Sequence, residues 1–207
     1  MVKTQQAKPT LEGTQLKIMQ RARNVFHEHG FSGLTTTALA TACGVTRRGF
    51  YHHFPSKEAL FRAVMVAGNQ EAQERADWAA QKAMAAGHDA LDVLSEWLDT
   101  RFGVTRRNVA RSRYGADLNE TAFRIASDVM IEVSHETNAR MAQLITELQQ
   151  RGMLKLRDGI SPQDAAQLIA DGARGVNQER PPIPPSQIGR RYRAITEAIL
   201  FGCTTAG

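Results

Sequence analysis

Residues Thr35–Phe54 read TTTALATACGVTRRGFYHHF, and this stretch decides the fold. Thr35 stands where an N-cap belongs, and Ala38, Leu39 and Ala42 fall on one face of a helix of about two turns. Cys43-Gly44-Val45 makes a tight turn: Gly44 can take the left-handed conformation that ends a helix, and Val45 plugs the angle between two helices. Thr46 caps a second short helix over Arg47–His52. Two short helices at a sharp angle are a helix-turn-helix, whose second helix fits a major groove.

The composition of the second helix suits a polyanion. Thr46, Arg47, Arg48, Tyr51 and His52 are all polar and follow directly on the cap. Arginine reaches guanine edges or phosphates, and Thr, Tyr and His donate to phosphate oxygens. Phe50 and Phe54 are expected to face inward. Thr35 and Thr36 at the start of the first helix, with Lys57 just beyond Phe54, are expected to fix the module on the phosphate backbone. Taken alone, the hairpin also fits a solvated pair of helices in some other all-helical protein.

Charge separates the chain into two parts. Of its 207 residues, the first 57 hold eight Lys or Arg against two Glu, a net +6. The remaining 18 basic and 19 acidic residues leave the rest at −1. A basic module on a near-neutral body points to a polyanion partner for the module alone. The two cysteines, Cys43 and Cys203, fit free thiols in a reducing cytoplasm. MVKTQQAKPT has no apolar core of a signal peptide, and no window approaches the roughly 20 apolar residues of a membrane span. A cytoplasmic location and no membrane partner are expected.

Outward from the hairpin, residues 1–12 read as a disordered arm. Ile18, Ala22, Val25 and Phe26 recur at helical spacing from Gly13 to His29, giving a helix that completes a three-helix unit. Pro55 breaks the chain after Phe54, Ser56 caps the next helix, and Glu58 sits in its first turn. That helix is expected to run to about residue 86 and to join a head, residues 13–57, to a body, residues 58–207. Leu91, Leu94 and Leu98 form a further stripe, and Val104–Arg113 a short helix. One long helix is expected from Asn119 to Arg151. Ser161-Pro162-Gln163-Asp164 starts another, with Ala165, Leu168, Ile169, Gly172, Ala173 and Val176 on one stripe. Pro181–Pro185 is a stiff connector to a last helix carrying Ile188, Tyr192, Ile195 and Ile199.

The order Gly30-Phe31, Thr35, Leu39-Ala40, Ala42, Gly44-Val45-Thr46, Phe50-Tyr51, His53-Phe54, Ser56-Lys57-Glu58, Leu60 resembles the N-terminal signature of the tetracycline-repressor family. It covers roughly Leu16 to Val64, and many coupled positions match. Arg48 stands where that family commonly has glycine, and Gly49 where it commonly has a small polar residue or alanine. The resemblance implies an all-α fold: a three-helix N-terminal helix-turn-helix domain joined to a C-terminal helical bundle for ligand binding and dimerisation. It implies a homodimer whose last two helices pair across a two-fold axis, through Leu168, Ile169, Gly172, Ala173, Val176, Tyr192, Ile195 and Ile199. It further implies a small-molecule effector, of unknown identity, in the body. Trp97, Phe102, Tyr114, Phe123, Met130 and His135 combine apolar bulk with polar tips and are the candidate lining.

No Walker loop, G-x-G-x-x-G after a strand, G-x-S-x-G or H-E-x-x-H occurs, and no Cys, His and acid set has metal-ligand spacing. No catalysis, cofactor or metal is expected. The expected function is a homodimeric, sequence-specific regulator of transcription. It would be a repressor released from a near-palindromic double-stranded DNA operator by a small molecule. A non-specific architectural DNA binder is the first alternative, and a helical-bundle enzyme with a vestigial DNA-binding head the second.

Overall fold

The computed structural model describes residues 13–178 and 183–203. The expected arm, residues 1–12, and Pro181-Pro182 of the connector lie outside the described residues. The fold is all-α, with ten α-helices among those described.

The first three helices follow their local signals. Helix α1 spans Gly13–His29, α2 Thr36–Ala42 and α3 Arg47–His53. The Thr35 hydroxyl accepts from the Ala38 N–H at 3.1 Å, and the Thr46 hydroxyl from the Gly49 N–H at 3.0 Å. Each bond satisfies one orphan amide of a first turn. The α2–α3 turn closes with Val45 N–H on Ala40 O at 3.0 Å and Gly44 N–H on Thr41 O at 2.9 Å, with Gly44 at φ 72°. This paired closure is the glycine-dependent helix ending anticipated there.

The head's core joins Ile18, Ala22, Phe26, Leu39 and Phe50 to Leu60, Phe61 and Val64 of α4, Lys57–Ala85. Phe26, Phe31 and Phe61 form a ring cluster with centroids 5.1–5.8 Å apart. Phe50 is fully buried, which contributes about 1.5–3 kcal/mol. Farther along, α4 gives Ala76, Ala80, Ala83 and Met84 to the body's core. One unbroken helix is thus shared between both cores.

The body adds α5, Ala90–Leu98, a π-helical turn at Asp99–Gly103, and α6, Val104–Arg111. Then come α7, Gly115–Ile125, α8, Ser127–Gln150, and α9, Pro162–Gln178. A 3-10 turn at Pro185–Gln187 leads into α10, Ile188–Cys203. Trp97, Leu98, Met141, Ile145, Leu148, Ile169 and Tyr192 are fully buried at the centre. Ser161 and Asp164 bond reciprocally across the start of α9, Asp164 N–H to Ser161 Oγ at 3.1 Å and Ser161 N–H to Asp164 Oδ2 at 2.9 Å.

The single helix expected from Asn119 to Arg151 is corrected: the chain breaks at Ala126, at φ −140° and ψ 26°. Arg62 of α4 holds the break open. Its Nη1 donates to the Ile125 carbonyl at 2.7 Å and to Asp128 Oδ1 at 2.6 Å, and Nη2 to Asp128 Oδ2 at 2.6 Å. The guanidinium fork satisfies a carbonyl that a continuous helix would have bonded internally.

Candidate nucleic-acid interface

The head presents α3 on its outside. Phe50 and Phe54 are buried beneath it, while Thr46, Arg47, Arg48, Tyr51 and His52 are exposed. Arg47 lies over the Tyr51 ring at 5.8 Å. Arg48 has no hydrogen-bond or ion-pair partner among the described residues, so its guanidinium is free to reach outward. The caps Thr35 and Thr46 each spend an oxygen lone pair, which leaves the O–H free to donate to an external acceptor. Thr35 is exposed and Thr36 half-buried on the neighbouring helix start.

Lys57 stands apart from this set. Its ammonium donates to Phe31 O at 2.9 Å and Leu34 O at 2.7 Å, and lies 4.1 Å from the centre of the Phe31 ring. Two of its three donors thus tie the α1–α2 loop to the start of α4, instead of extending to a phosphate. Sequence reasoning also missed Arg21. From α1 it donates through Nη1 to Cys43 O at 2.8 Å, bracing the α2–α3 turn. It packs so closely over Gly44 that a Cβ there would collide with Nη1. Cys43 is buried with its thiol 3.7 Å from Ile18 O; burial pushes that thiol's pKa up, against the opposing pull of Arg21.

Body contacts hold the head in place. Asp117 of α7 accepts from Phe31 N–H at 2.5 Å, from Ser32 N–H at 3.3 Å and from the Ser32 hydroxyl. Burial raises the Asp117 pKa, but these bonds and nearby Lys57 outweigh it and leave the carboxyl below its ordinary range. Ser112 Oγ donates to His27 O at 2.7 Å beside it.

The six candidate lining residues of the body do not converge. Trp97 is fully buried in the core, its Nε1 donating to Asp77 Oδ1 at 3.0 Å. Phe102 packs on the body core and Met130 on the head's core. Tyr114 is half-buried against the Gly30 turn, Phe123 is 63% exposed, and His135 is exposed. A cleft of about 400 Å³ opens elsewhere, between α4, the π-helical turn and α8. Asn69, Gln73, Arg101 and Thr137 line its floor, with Val66, Val129 and Val133 on its walls and Glu74, Glu132 and Glu136 at its mouth. None of the six candidates is among them. Their shared chemical type does not bring them together, whereas the cleft is set by the turn that carries Arg101.

The expected pairing face is also corrected in part. Ile169, Ala173 and Tyr192 are fully buried inside the subunit, so they are not available to a second copy. Gly172 sits where a Cβ would come within 2.6 Å of Ile195 Cγ1 and 3.1 Å of Ile199 Cδ1, so it serves the contact between α9 and α10. Val176, Ile195 and Ile199 are half-buried. Leu168 remains 46% exposed, joined by Phe201 at 70%, which the stripe reading passed over.

The sequence profile of "Bacterial regulatory proteins, tetR family" matches residues 18–64, the head and the first turns of α4. The HTH-type transcriptional regulator UidR of Escherichia coli K12 is 36% identical over 62 residues, 30% of this chain. That match spans 32% of UidR, about a third of its length. The HTH-type transcriptional repressor AcnR of Corynebacterium glutamicum is 28% identical over 149 residues, covering 62% of this chain and 76% of AcnR. Thermus thermophilus FadR, a TetR-family repressor solved with lauroyl-CoA, shares the fold with a TM-score of 0.62 at 19% identity, over 93% of this chain and 96% of FadR. Residues 18–64 thus carry the module of the tetR family of bacterial regulatory proteins, and across it the chain is similar to HTH-type transcriptional regulators.

Proposed function

We propose that the chain is a homodimeric, sequence-specific DNA-binding regulator of transcription, acting in the cytoplasm. It is a repressor that leaves a near-palindromic operator when a small molecule occupies its body. The observation that carries this reading is α3. Five polar side chains, two of them arginines, stand outside a helix whose Phe50 is fully buried beneath them. A short helix so presented reads base edges in a major groove. Thr46, Arg47, Arg48, Tyr51 and His52 carry that readout, and Thr35 and Thr36 seat the head on the backbone.

Two copies are required because one short helix reads only a few base pairs. A symmetric pair reads two half-sites one turn, about 34–36 Å, apart. The outward face of α9 and α10 supports the pairing. Leu168 and Gly175 lie seven residues apart on α9, and Ala194, Ala198 and Phe201 follow one another at helical spacing on α10; all five are exposed. Small residues between large apolar ones let helices approach closely. No described helix is long and apolar enough to cross a membrane. The effector-responsive part of the reading is supported by the body cleft and by the lauroyl-CoA held by FadR.

Footprinting on the DNA flanking the protein's own gene tests the reading. The expected result is a protected, nearly symmetric site bound more tightly than random duplex at the same salt concentration. Equal affinity for both would replace the regulator with a non-specific DNA binder.

A further inference from the structure

The cleft in the body holds a cation with no direct carboxylate partner among the described residues. Arg101 is only 4% exposed, yet its three hydrogen bonds all go to neutral oxygens: Gln73 Oε1 at 3.2 Å, Asn69 Oδ1 at 3.3 Å and Thr137 Oγ1 at 3.0 Å. Among the described residues no carboxylate is paired with it. Two carboxylates act on it only through space: Asp77, which is engaged by Trp97 and by Arg140, whose Nε lies 2.8 Å from Oδ2, and Glu136, which lines the same cleft. A buried cation ordinarily has an anionic partner, because desolvation without one costs several kcal/mol, on the order of the penalty for any buried ion. Burial accordingly lowers the pKa of Arg101 to about 10, a value at which it is still charged near neutrality.

Two further observations give the unpaired charge a direction. Arg101 is carried on the π-helical turn Asp99–Gly103, an interruption between two α-helices of the kind that often aims a side chain into a functional site. Its Nη1 group makes no hydrogen bond among the described residues, and the side chain lines the cleft. The mouth differs from the floor. Glu74, Glu132 and Glu136 are exposed there, and they repel a molecule that is anionic along its whole length.

We propose that this cleft binds a small carboxylate whose body carries hydroxyl or ammonium donors, the acid group on Arg101 Nη1 and the donors toward the glutamates of the mouth. The volume suits a compact metabolite. The amides of Asn69 and Gln73 and the hydroxyl of Thr137 are better matched to a polar body than to an alkyl chain. The proposal names the effector class of the regulator proposed above and rests on that reading for its effect at DNA.

The test is titration calorimetry and thermal shift on the full chain with gluconate, glutamine, glucitol and decanoate at matched ionic strength. Gluconate or glutamine is expected to bind and raise the Tm. Glucitol lacks the acid and decanoate lacks the donors, and each is expected to bind at least about tenfold more weakly. Arg101→Gln is expected to lose about tenfold or more for the acid that binds. Because that change also disturbs buried hydrogen bonds, Glu136→Gln on the exposed mouth serves as the second variant. It is expected to weaken glutamine more than gluconate, which separates an ammonium from a hydroxyl source. Binding of no probe, glucitol equal to gluconate, decanoate tightest, or a folded Arg101→Gln chain that binds as the wild type does would each overturn the proposal. Footprinting in parallel separates the two readings. Binding with unchanged DNA protection supports the site and removes only the ligand response of the regulator.

Discussion

Lys57 shows how a residue at the right place in a module can do a different job. With two donors on loop carbonyls and its charge over the Phe31 ring, it braces the head from within. Lys57→Ala is expected to lower the stability of the chain by about 1–3 kcal/mol, read as a lower urea midpoint with an unchanged slope. The salt dependence of DNA binding should stay as it was. A salt slope flatter by about one unit, with stability unchanged, would return Lys57 to a phosphate. Arg48 is the contrasting case, since nothing in the described chain holds it. Arg48→Ala is expected to relax preference at one operator position by about 1–3 kcal/mol, measured by competition against single-base operator variants. Unchanged preference at every position would assign it to the backbone or to solvent. The caps Thr35, Thr46 and Ser56 were legible in the sequence because each bonds an amide three residues away. The partners of Lys57 and Arg21 lie 22–26 residues off, and only the folded head brings them together.

Among the elements, the break between α7 and α8 was the least legible. No glycine or proline marks Ala126, and apolar residues recur at helical spacing on both sides. The cause is Arg62, more than 60 residues away on α4, whose fork takes up both Ile125 O and Asp128. The hydrogen-bonded Arg62 guanidinium pulls the Asp128 pKa down from the ordinary 3.8 to about 2. A carboxyl depressed in the folded state contributes stability above its unfolded pKa and loses it as pH falls toward the folded one. The contribution is therefore whole above about pH 4 and fades between pH 3.8 and about 2. Asp128→Asn is expected to be less stable than the wild type at neutral pH, with the gap in urea midpoint closing across that window. A gap that stayed constant down to pH 2 would show that the Arg62 link adds nothing. The last two helices were legible as apolar stripes. A stripe alone does not say which flank meets the subunit's own core, and Tyr192 and Ile169 went inward while Leu168 stayed out.

For the whole molecule, the head was readable because its signals are local and mutually consistent, and the body only as helices in order. The cleft was not, since it is made by helices distant in the chain and by a π-helical turn that no spacing announces. The pairing of copies belongs to this scale. Leu168→Glu is expected to convert a dimer into a monomer in sedimentation and to weaken operator binding, while circular dichroism is unchanged. A wild-type chain that sediments as a monomer at micromolar concentration would remove the two-fold reading altogether. The Arg62 fork also has a mechanical side. Asp128, which it grips, adjoins Val129, a wall of the cleft, and Arg62 itself lies on the helix that carries Phe61 into the head. A wedge that pushes the first turn of α8 aside must either unfasten that clasp or swing α4 with it. In the ligand-responsive regulator proposed above, the joint would act as a hinge pin, turning a sideways shove in one half into a tilt of the other.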